Sequence, residues 1–213
     1  MSWRPAKRAR APALDAVVST VAAPGLGKPD SLFVLADGNL LACAGHSIRV
    51  LAPSGILSGS VLAGNNTSSG KQDGPGADAR FEHPLGITVD PAGNLVVVDN
   101  GNGALRLVSK AGAVSTLAGS AGATGSADGT GGAARFRFPA SVAIDAGGDL
   151  LVADTGNHTV RRITAGGVVT TLAGTAGTAG TADGTGSAAR FNSPQAIAVD
   201  AAGVVFVADT GSH

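Results

Sequence analysis

The sequence repeats itself with a period of 55 residues over most of its length. One phenylalanine and one aspartate recur at this spacing: Phe81, Phe136, Phe191 and Asp99, Asp154, Asp209. Residues 81–135 align with residues 136–190 without a gap and share 27 identical residues at 55 positions. A further copy begins at residue 191, and a fainter one lies upstream. Such a chain folds as a series of similar units, each packed against its neighbours.

Each copy contains four short runs of aliphatic and β-branched residues, separated by turns that contain glycine. In one copy these runs are Ser141–Asp145, Leu150–Asp154, Thr159–Thr164 and Val168–Ala173. The second run is continuously apolar, which is typical of a strand buried on both faces. The fourth mixes valine with threonine, as an edge strand does. No segment sustains a helical period, so the sequence predicts an all-β fold with four strands in each unit.

Four-stranded units at this spacing are typical of a β-propeller, in which sheets called blades surround a central channel. The pattern predicts full blades at about residues 29–64, 81–119 and 136–174, and a partial blade over 191–213. Residues 17–22 match the fourth strand of a blade. Because the predicted series starts with an outer strand and stops after two inner strands, we expect an incomplete propeller. It would be part of a longer protein or an open arc that needs a partner.

Three recurring motifs resemble the NHL repeat over roughly residues 14–213. They are the segment Val152–His158 followed by Arg161, the strand pattern Pro-x-x-(Ile/Val)-Ala-(Ile/Val)-Asp, and the closing Thr-Leu-Ala-Gly. The first copy departs from the pattern, since Ala44 replaces the usual aspartate. The resemblance implies a propeller, commonly of about six blades. It also implies a role mainly in binding protein or RNA, although some relatives are enzymes.

Composition limits the classes of partner. Lysine plus arginine and aspartate plus glutamate each number 15, so no net field directs the chain to nucleic acid or membranes. No apolar run approaches the ~18 residues of a membrane span. The single cysteine, Cys43, cannot form an internal disulfide and is expected to be a small buried side chain.

The first residues differ in charge from the rest of the chain. Arg4, Lys7, Arg8 and Arg10 precede the first acidic residue, Asp15. We therefore expect residues 1–13 to form a basic, disordered tail. Residues 1–12 also weakly resemble an organelle transit peptide or a nuclear-import signal. They lack the apolar centre of a secretory signal. A cytoplasmic location is the default expectation.

Two sets of repeated aspartates have structural and functional interpretations. Asp73, Asp128 and Asp183 begin Asp-Gly-x-Gly loops, and each is predicted to cap its turn and face the arginine seven residues later. Calcium is the alternative there, but one carboxylate falls short of the roughly six to eight oxygens it takes. Asp99, Asp154 and Asp209 end strands and are predicted to accept N–H bonds in the following turn. Their alternative role is a carboxylate ring around the channel that holds a cation or substrate.

No motif for a catalytic nucleophile, a zinc site or a phosphate-binding loop occurs in the sequence. We therefore predict no catalytic, cofactor-binding or metal-binding residues, and a non-catalytic propeller that binds a partner. The alternative is a hydrolase or lyase of the lactonase, strictosidine-synthase-like or amidating-lyase type. RNA binding ranks third, because clustered cations and stacking aromatics are missing.

Positions that differ between the copies are the best candidates for recognising a ligand that binds at a single site. They cluster just after the repeated phenylalanine and just after the second strand, and an up-and-down blade places both at one rim. The predicted rim residues are Glu82, His83, Asn100, Arg137, Thr155, His158, Asn192, Gln195 and Thr210. Phe138, Leu85 and Ala140 vary in the same way. A protein is the expected partner, with no membrane contact, and self-association through open blade edges is a further expectation.

Overall fold

The computed structural model describes residues 29–51 and 60–212, which form short antiparallel strands. The first sheet contains β1 (Pro29–Val34), β2 (Leu40–Ala44), β3 (Ser47–Leu51) and β4 (Ser60–Gly64). The second contains β5 (Pro84–Val89), β6 (Leu95–Asp99), β7 (Ala104–Val108) and β8 (Val114–Gly119). The third contains β9 (Gly129–Thr130), β10 (Ser141–Ile144), β11 (Leu150–Asp154), β12 (Thr159–Ile163) and β13 (Val168–Gly174). The fourth contains β14 (Pro194–Val199) and β15 (Val205–Asp209).

Each of the larger sheets contains an up-and-down meander of four strands, and in the third sheet β9 pairs with the outer strand β13. The strand orders are β1-β2-β3-β4, β5-β6-β7-β8 and β10-β11-β12-β13-β9. The predicted all-β fold of four-stranded blades is therefore confirmed, with three full blades followed by a two-stranded sheet. The predicted outer strand at residues 17–22 and the basic tail at residues 1–13 lie outside the described residues.

The sheets stack face to face, and β6 shows how the core forms. Leu95 and Val97 pack against the first sheet, where Leu41 is one of their partners. Val96 and Val98 point the other way and join the cluster shared with the third sheet. Because side chains alternate along a strand, burial on both sides requires the continuous apolar run that predicted this position. Each such side chain contributes about 1.5–3 kcal/mol when buried.

The first strands of successive sheets form the innermost layer. β1 packs against β5, β5 against β10, and β10 against β14. Each of these four strands is the first of its sheet and runs in the same direction as the other three. Their N-terminal ends therefore lie at one end of the stack of sheets. The strand-to-strand turns at Asp90–Asn94 and Asp145–Asp149 lie at the opposite end.

The long connections between sheets are ordered by short elements. Single-turn 3-10 helices lie at Gly76–Asp78, Gly131–Ala133 and Gly186–Ala188, and another follows β11 at Thr155–Asn157. The connection after the first sheet runs along the outer strand of the second sheet. There Gly74 and Val114 exchange two backbone hydrogen bonds of 3.1 and 2.8 Å. None of the helices within the described residues has the length and apolar character needed to cross a membrane.

Candidate functional site

A cavity of about 480 Å³ opens at the N-terminal ends of the inner strands β1, β5, β10 and β14. We call it the axial cavity. Its polar wall consists of Asp30, Ser31, Asn100, Ser141, Thr155 and Gln195. Phe138 adds an aromatic ring that is 51% exposed, and Leu85, Gly86, Ala140 and Ala196 complete the lining. All four sheets therefore contribute to one concave surface.

The repeat explains why the cavity is chemically uneven. Asp30, Leu85, Ala140 and Gln195 occupy equivalent positions, each 55 residues from the next, at the start of the inner strands. The fold thus brings four equivalent backbone positions to one place, while the sequence gives each a different side chain. The surface can therefore distinguish one orientation of a ligand from another.

Three of the nine predicted rim residues line the axial cavity: Asn100, Thr155 and Gln195. Two of them also join neighbouring sheets. Asn100 Nδ2 donates to the carbonyl oxygen of Pro139 at 2.8 Å, and Thr155 Oγ1 donates to that of Pro194 at 2.6 Å. These side chains therefore fix the spacing of adjacent inner strands as well as forming the wall.

Three other predicted rim residues lie at the position after the repeated phenylalanine: Glu82, Arg137 and Asn192. In each, the backbone N–H donates to the strand-end aspartate, and the carbonyl oxygen accepts from a glycine in the turn that follows that aspartate. Arg137 lies directly over Gly156, where a Cβ would be 2.7 Å from the Arg137 carbonyl oxygen. The backbone at this position holds the turn, and the side-chain heads are outside the axial cavity lining.

The remaining predicted residues are His83, His158 and Thr210. The His83 and His46 rings meet edge to face at 4.9 Å between centroids. His158 Nδ1 accepts the N–H of Ser193 at 3.0 Å, so it links the third and fourth sheets. Thr210 Oγ1 donates to the carbonyl oxygen of Ser193 at 2.8 Å. None of these three is part of the axial cavity lining.

Asp30, Ser31, Phe138 and Ser141 line the cavity without having been selected as site residues. Phe138 belongs to the set of positions that vary between copies. Asp30 is recognised as the equivalent of Gln195 only when the 55-residue spacing is extended into the first copy of the repeat, whose sequence resembles the other copies least. That signal was present in the sequence, but the low similarity of the first copy hid it.

The strand-end aspartates form buried polar networks away from the cavity. Asp154 Oδ1 accepts the Arg137 N–H at 2.8 Å, while Oδ2 accepts from Asn157 Nδ2 at 2.8 Å and Arg161 Nη1 at 2.8 Å. Asp99 has the same set of contacts in the second sheet. Burial raises the pKa of both carboxyls, while these hydrogen bonds and the arginine charge oppose the rise. The predicted structural role agrees with this geometry, although the N–H donor comes from the residue after the phenylalanine.

The predicted pairing of the loop aspartates is wrong. Asp73 does not face Arg80; its Oδ1 accepts from Arg106 Nη2 at 2.6 Å, and Asp128 accepts from Arg161 in the same way. The Arg80 guanidinium instead donates to the carbonyl oxygens of Ala77 and Ala79. The fully buried guanidinium of the third-strand arginine is thus paired with two carboxylates, the second of which comes from a connection 33 residues away.

Within the described residues, no group of three or more histidine, cysteine, aspartate or glutamate side chains is placed to hold a metal ion. Cys43 is buried, as the sequence predicts. Burial raises the pKa of its thiol to about 12, so the thiol stays protonated at neutral pH.

Comparisons with known proteins agree with the fold and the repeat. The NHL repeat family model matches residues 81–106 and 136–163. The human protein "NHL repeat-containing protein 2" is 32% identical over 136 residues, which are 62% of this chain and 19% of that protein. The chain thus spans about a fifth of the length of this relative.

Solved structures share the architecture. A protein of unknown function from Bacteroides thetaiotaomicron superposes with a TM-score of 0.70 at 21% identity, over 86% of this chain and 45% of that one. An auxiliary nutrient binding protein from the same organism gives 0.65 at 22% identity, over 82% and 43%. These identities support the fold alone. Together, the repeated motifs and the family match show that the chain carries NHL repeats at residues 81–106 and 136–163, and its stacked four-stranded sheets have the β-propeller architecture.

Proposed function

We propose that this chain is a non-catalytic binding module that captures a segment of a protein partner at the axial cavity. One observation carries the proposal: four equivalent inner-strand positions meet there with four different side chains, Asp30, Leu85, Ala140 and Gln195. Features common to all blades build the scaffold, whereas a surface that differs at every blade suits a ligand without the symmetry of the ring.

Phe138 supports the proposal. Its φ of 46° is in the left-handed region, which costs a residue with a Cβ about 1–2 kcal/mol. Its ring is 51% exposed, so burial in the core does not offset much of this cost. The equivalent residues His83 and Ser193 share this backbone conformation, so the conformation belongs to the blade, and what Phe138 adds is an exposed aromatic ring beside the cavity.

The charge of the cavity favours a protein over RNA. Its lining contains one formally charged side chain, the carboxylate of Asp30, and no lysine or arginine. Binding to a nucleic acid backbone depends on such cations, because they neutralise phosphates. The cavity therefore disfavours RNA as its occupant.

The test compares two substitutions in the same blade. Gln195→Trp places a large ring at the axial cavity, and Ala202→Trp places the same ring in the exposed turn at the other end of β14. A library of short random peptides displayed on phage is selected against the unmodified protein. We expect Gln195→Trp to remove binding of the selected peptides and Ala202→Trp to preserve it.

Two results would contradict the proposal. Selected peptides that bind equally to both variants would place recognition elsewhere on the protein. Turnover of a lactone or ester substrate by the purified protein, abolished by Gln195→Trp, would support the hydrolase alternative instead.

A further inference from the structure

We propose that the axial cavity receives the guanidinium group of an arginine side chain from a protein partner, an inference that rests on the proposed function of this cavity. The direction of existing hydrogen bonds is the first argument. Thr155 donates its hydroxyl proton to the carbonyl oxygen of Pro194, and Ser31 donates its own to that of Leu85. A hydroxyl has one proton to donate, so both groups retain only acceptor lone pairs for a ligand.

Asn100 adds to this excess of acceptors. The Asn100 amide nitrogen is bonded to Pro139, while its side-chain oxygen accepts no hydrogen bond from any described residue. Ser141 differs, because its Oγ accepts the N–H of Ile197 at 3.3 Å and its hydroxyl proton can still be donated, while Gln195 can present either end of its amide. The polar wall is therefore suited to a ligand that carries several N–H donors.

Asp30 supplies the matching charge. Its side chain is exposed at the cavity and forms no hydrogen bond or ion pair within residues 29–51 and 60–212. No other charged side chain belongs to the lining. A guanidinium can bind a carboxylate through two parallel hydrogen bonds, which adds geometric selectivity to the attraction of opposite charges.

Phe138 supplies the surface on which a planar cation stacks. Guanidinium groups bind aromatic faces more readily than ammonium groups do, because they are planar and more weakly hydrated. The same chain already uses this contact in its interior. Arg106 lies over the Phe81 ring at 5.1 Å, and Arg161 lies over the Phe136 ring at 5.2 Å.

The volume is consistent with a single side chain and its flanking backbone. At about 480 Å³, the cavity is in the lower half of the range of roughly 300–1,000 Å³ for small-ligand sites. It is too small to admit a folded domain, but a partner surface could insert one arginine from an extended segment.

The experiment uses three blocked peptides: acetyl-Gly-Arg-Gly-amide, its lysine analogue and its citrulline analogue. Citrulline keeps the shape of arginine but is neutral. Titration calorimetry or NMR shifts measure each affinity for the full chain. We expect the arginine peptide to bind at least about tenfold more tightly than the citrulline peptide, with the lysine peptide in between.

Two variants assign the effect to the cavity. Asp30→Asn removes the charge at an exposed position, and Phe138→Asn removes the ring at a left-handed position that asparagine tolerates. Each should reduce the preference for arginine over citrulline at least about fivefold without lowering the melting temperature. Ala202→Trp serves as the unaffected control.

Three results would overturn the arginine inference: equal affinity for the arginine and citrulline peptides, unchanged arginine binding in Asp30→Asn, or no binding of the arginine peptide at about 10 mM. The binding proposal is judged separately by Gln195→Trp. If that variant still abolishes binding of the selected peptides, the cavity binds a partner of different chemistry. If it does not, both proposals fail.

Discussion

Asp99 and Arg106 form an ion pair in which Oδ2 and Nη1 are 2.7 Å apart and both side chains are fully buried. The third sheet repeats the pair with Asp154 and Arg161 at 2.8 Å. Each arginine also contacts the loop aspartate of the preceding connection, Asp73 or Asp128, at 2.6 Å. One guanidinium therefore ties together a strand end, the third strand and the connection between two sheets.

The first prediction is that removing this guanidinium is far more costly than removing a surface one. Arg161→Met leaves the Asp154 carboxylate buried without its counter-charge, so we expect a loss of about 3–5 kcal/mol in the free energy of unfolding. Arg162 is the matched control, because it is the next residue and pairs with Asp149 at the surface. Arg162→Met should cost less than about 1 kcal/mol.

Denaturant titrations of both arginine variants, with the slope of the transition compared to that of the unmodified chain, provide the measurement. Equal losses for the two variants would mean that the buried pair contributes no more than an exposed one.

The second prediction concerns Gly119, which ends β8 with a φ of 91°. A Cβ there would lie 2.6 Å from the Gly103 carbonyl oxygen and 2.9 Å from the Ala104 Cα. Both the backbone conformation and the close approach require glycine, so Gly119→Ala should destabilise the fold by more than about 2 kcal/mol. Gly132→Ala is the control, because a Cβ at Gly132 meets nothing within 4 Å. Thermal melts that show the same shift for both variants would be inconsistent with this explanation.

The third prediction separates strain from packing at two phenylalanines. Phe138→Asn should leave stability unchanged or raise it by up to about 1 kcal/mol, because asparagine tolerates a left-handed backbone and little burial is lost. Phe136 is fully buried beneath Arg161. Phe136→Ala should therefore cost about 3–5 kcal/mol through the cavity it leaves. Melting temperatures decide the comparison, and a large loss in Phe138→Asn would show that its ring supports the fold.

Much of the fold could be predicted from local sequence, whereas the pairing of side chains could not. The continuous apolar run of β6 predicts burial on both faces because strand side chains alternate, and that rule needs only neighbouring residues. The Asp73–Arg106 contact joins residues 33 positions apart across two elements, so it depends on how the connection runs along the next sheet. Local spacing instead favoured Arg80, which bonds to nearby carbonyl oxygens.

The candidate site was predictable in part for the same reason. The up-and-down blade places the second-to-third turn and the start of the first strand at one end, which brings Asn100, Thr155 and Gln195 to the axial cavity. The blade topology does not reveal whether a side chain at this end faces the cavity or the boundary between two neighbouring sheets. Hence His158 shares that end of the sheets but bonds across the boundary to Ser193, while Asn192 bonds to Gly211 in the turn after β15.

The fourth prediction is a pH dependence at Asp128. Partial burial raises the pKa of this carboxyl, but the Thr171 N–H and hydroxyl and the Arg161 guanidinium lower it more, so it lies below 3.8. A carboxyl with a lower pKa when folded contributes stability above its unfolded pKa, and that contribution is lost as the pH falls through the folded value. The free-energy difference between the unmodified chain and Asp128→Asn should thus be largest near neutral pH and shrink below about pH 4.

Asp78→Asn controls for the removal of one negative charge, since Asp78 is exposed in the 3-10 helix at Gly76–Asp78. Unfolding of both variants and of the unmodified chain is measured across the same pH range. A difference for Asp128→Asn that grows toward acid would reverse the sign and refute the assignment.

The last prediction is that the chain associates with further copies of itself, head to tail. Side chains of the second strands alternate between the preceding and the following sheet: in β11, Val152 faces the second sheet and Leu151 the fourth. By the same alternation, Val207 faces the third sheet while Phe206 points away from it and is 57% exposed. At the other end of the series, Leu32 is 61% exposed.

The exposed face of the fourth sheet corresponds to the face that each sheet packs against the following sheet. The exposed face of the first sheet corresponds to the face that each sheet packs against the preceding sheet. The first sheet of a second copy therefore matches the outer face of the fourth sheet, where Phe206 lies, and a heterologous contact of this kind can propagate. Light scattering over a concentration series should show a mass that rises above one chain, and Phe206→Ser should lower it. Phe138→Ser, which removes a ring at the axial cavity that is 51% exposed, should not lower the mass. A constant monomer mass in the unmodified chain would exclude this association.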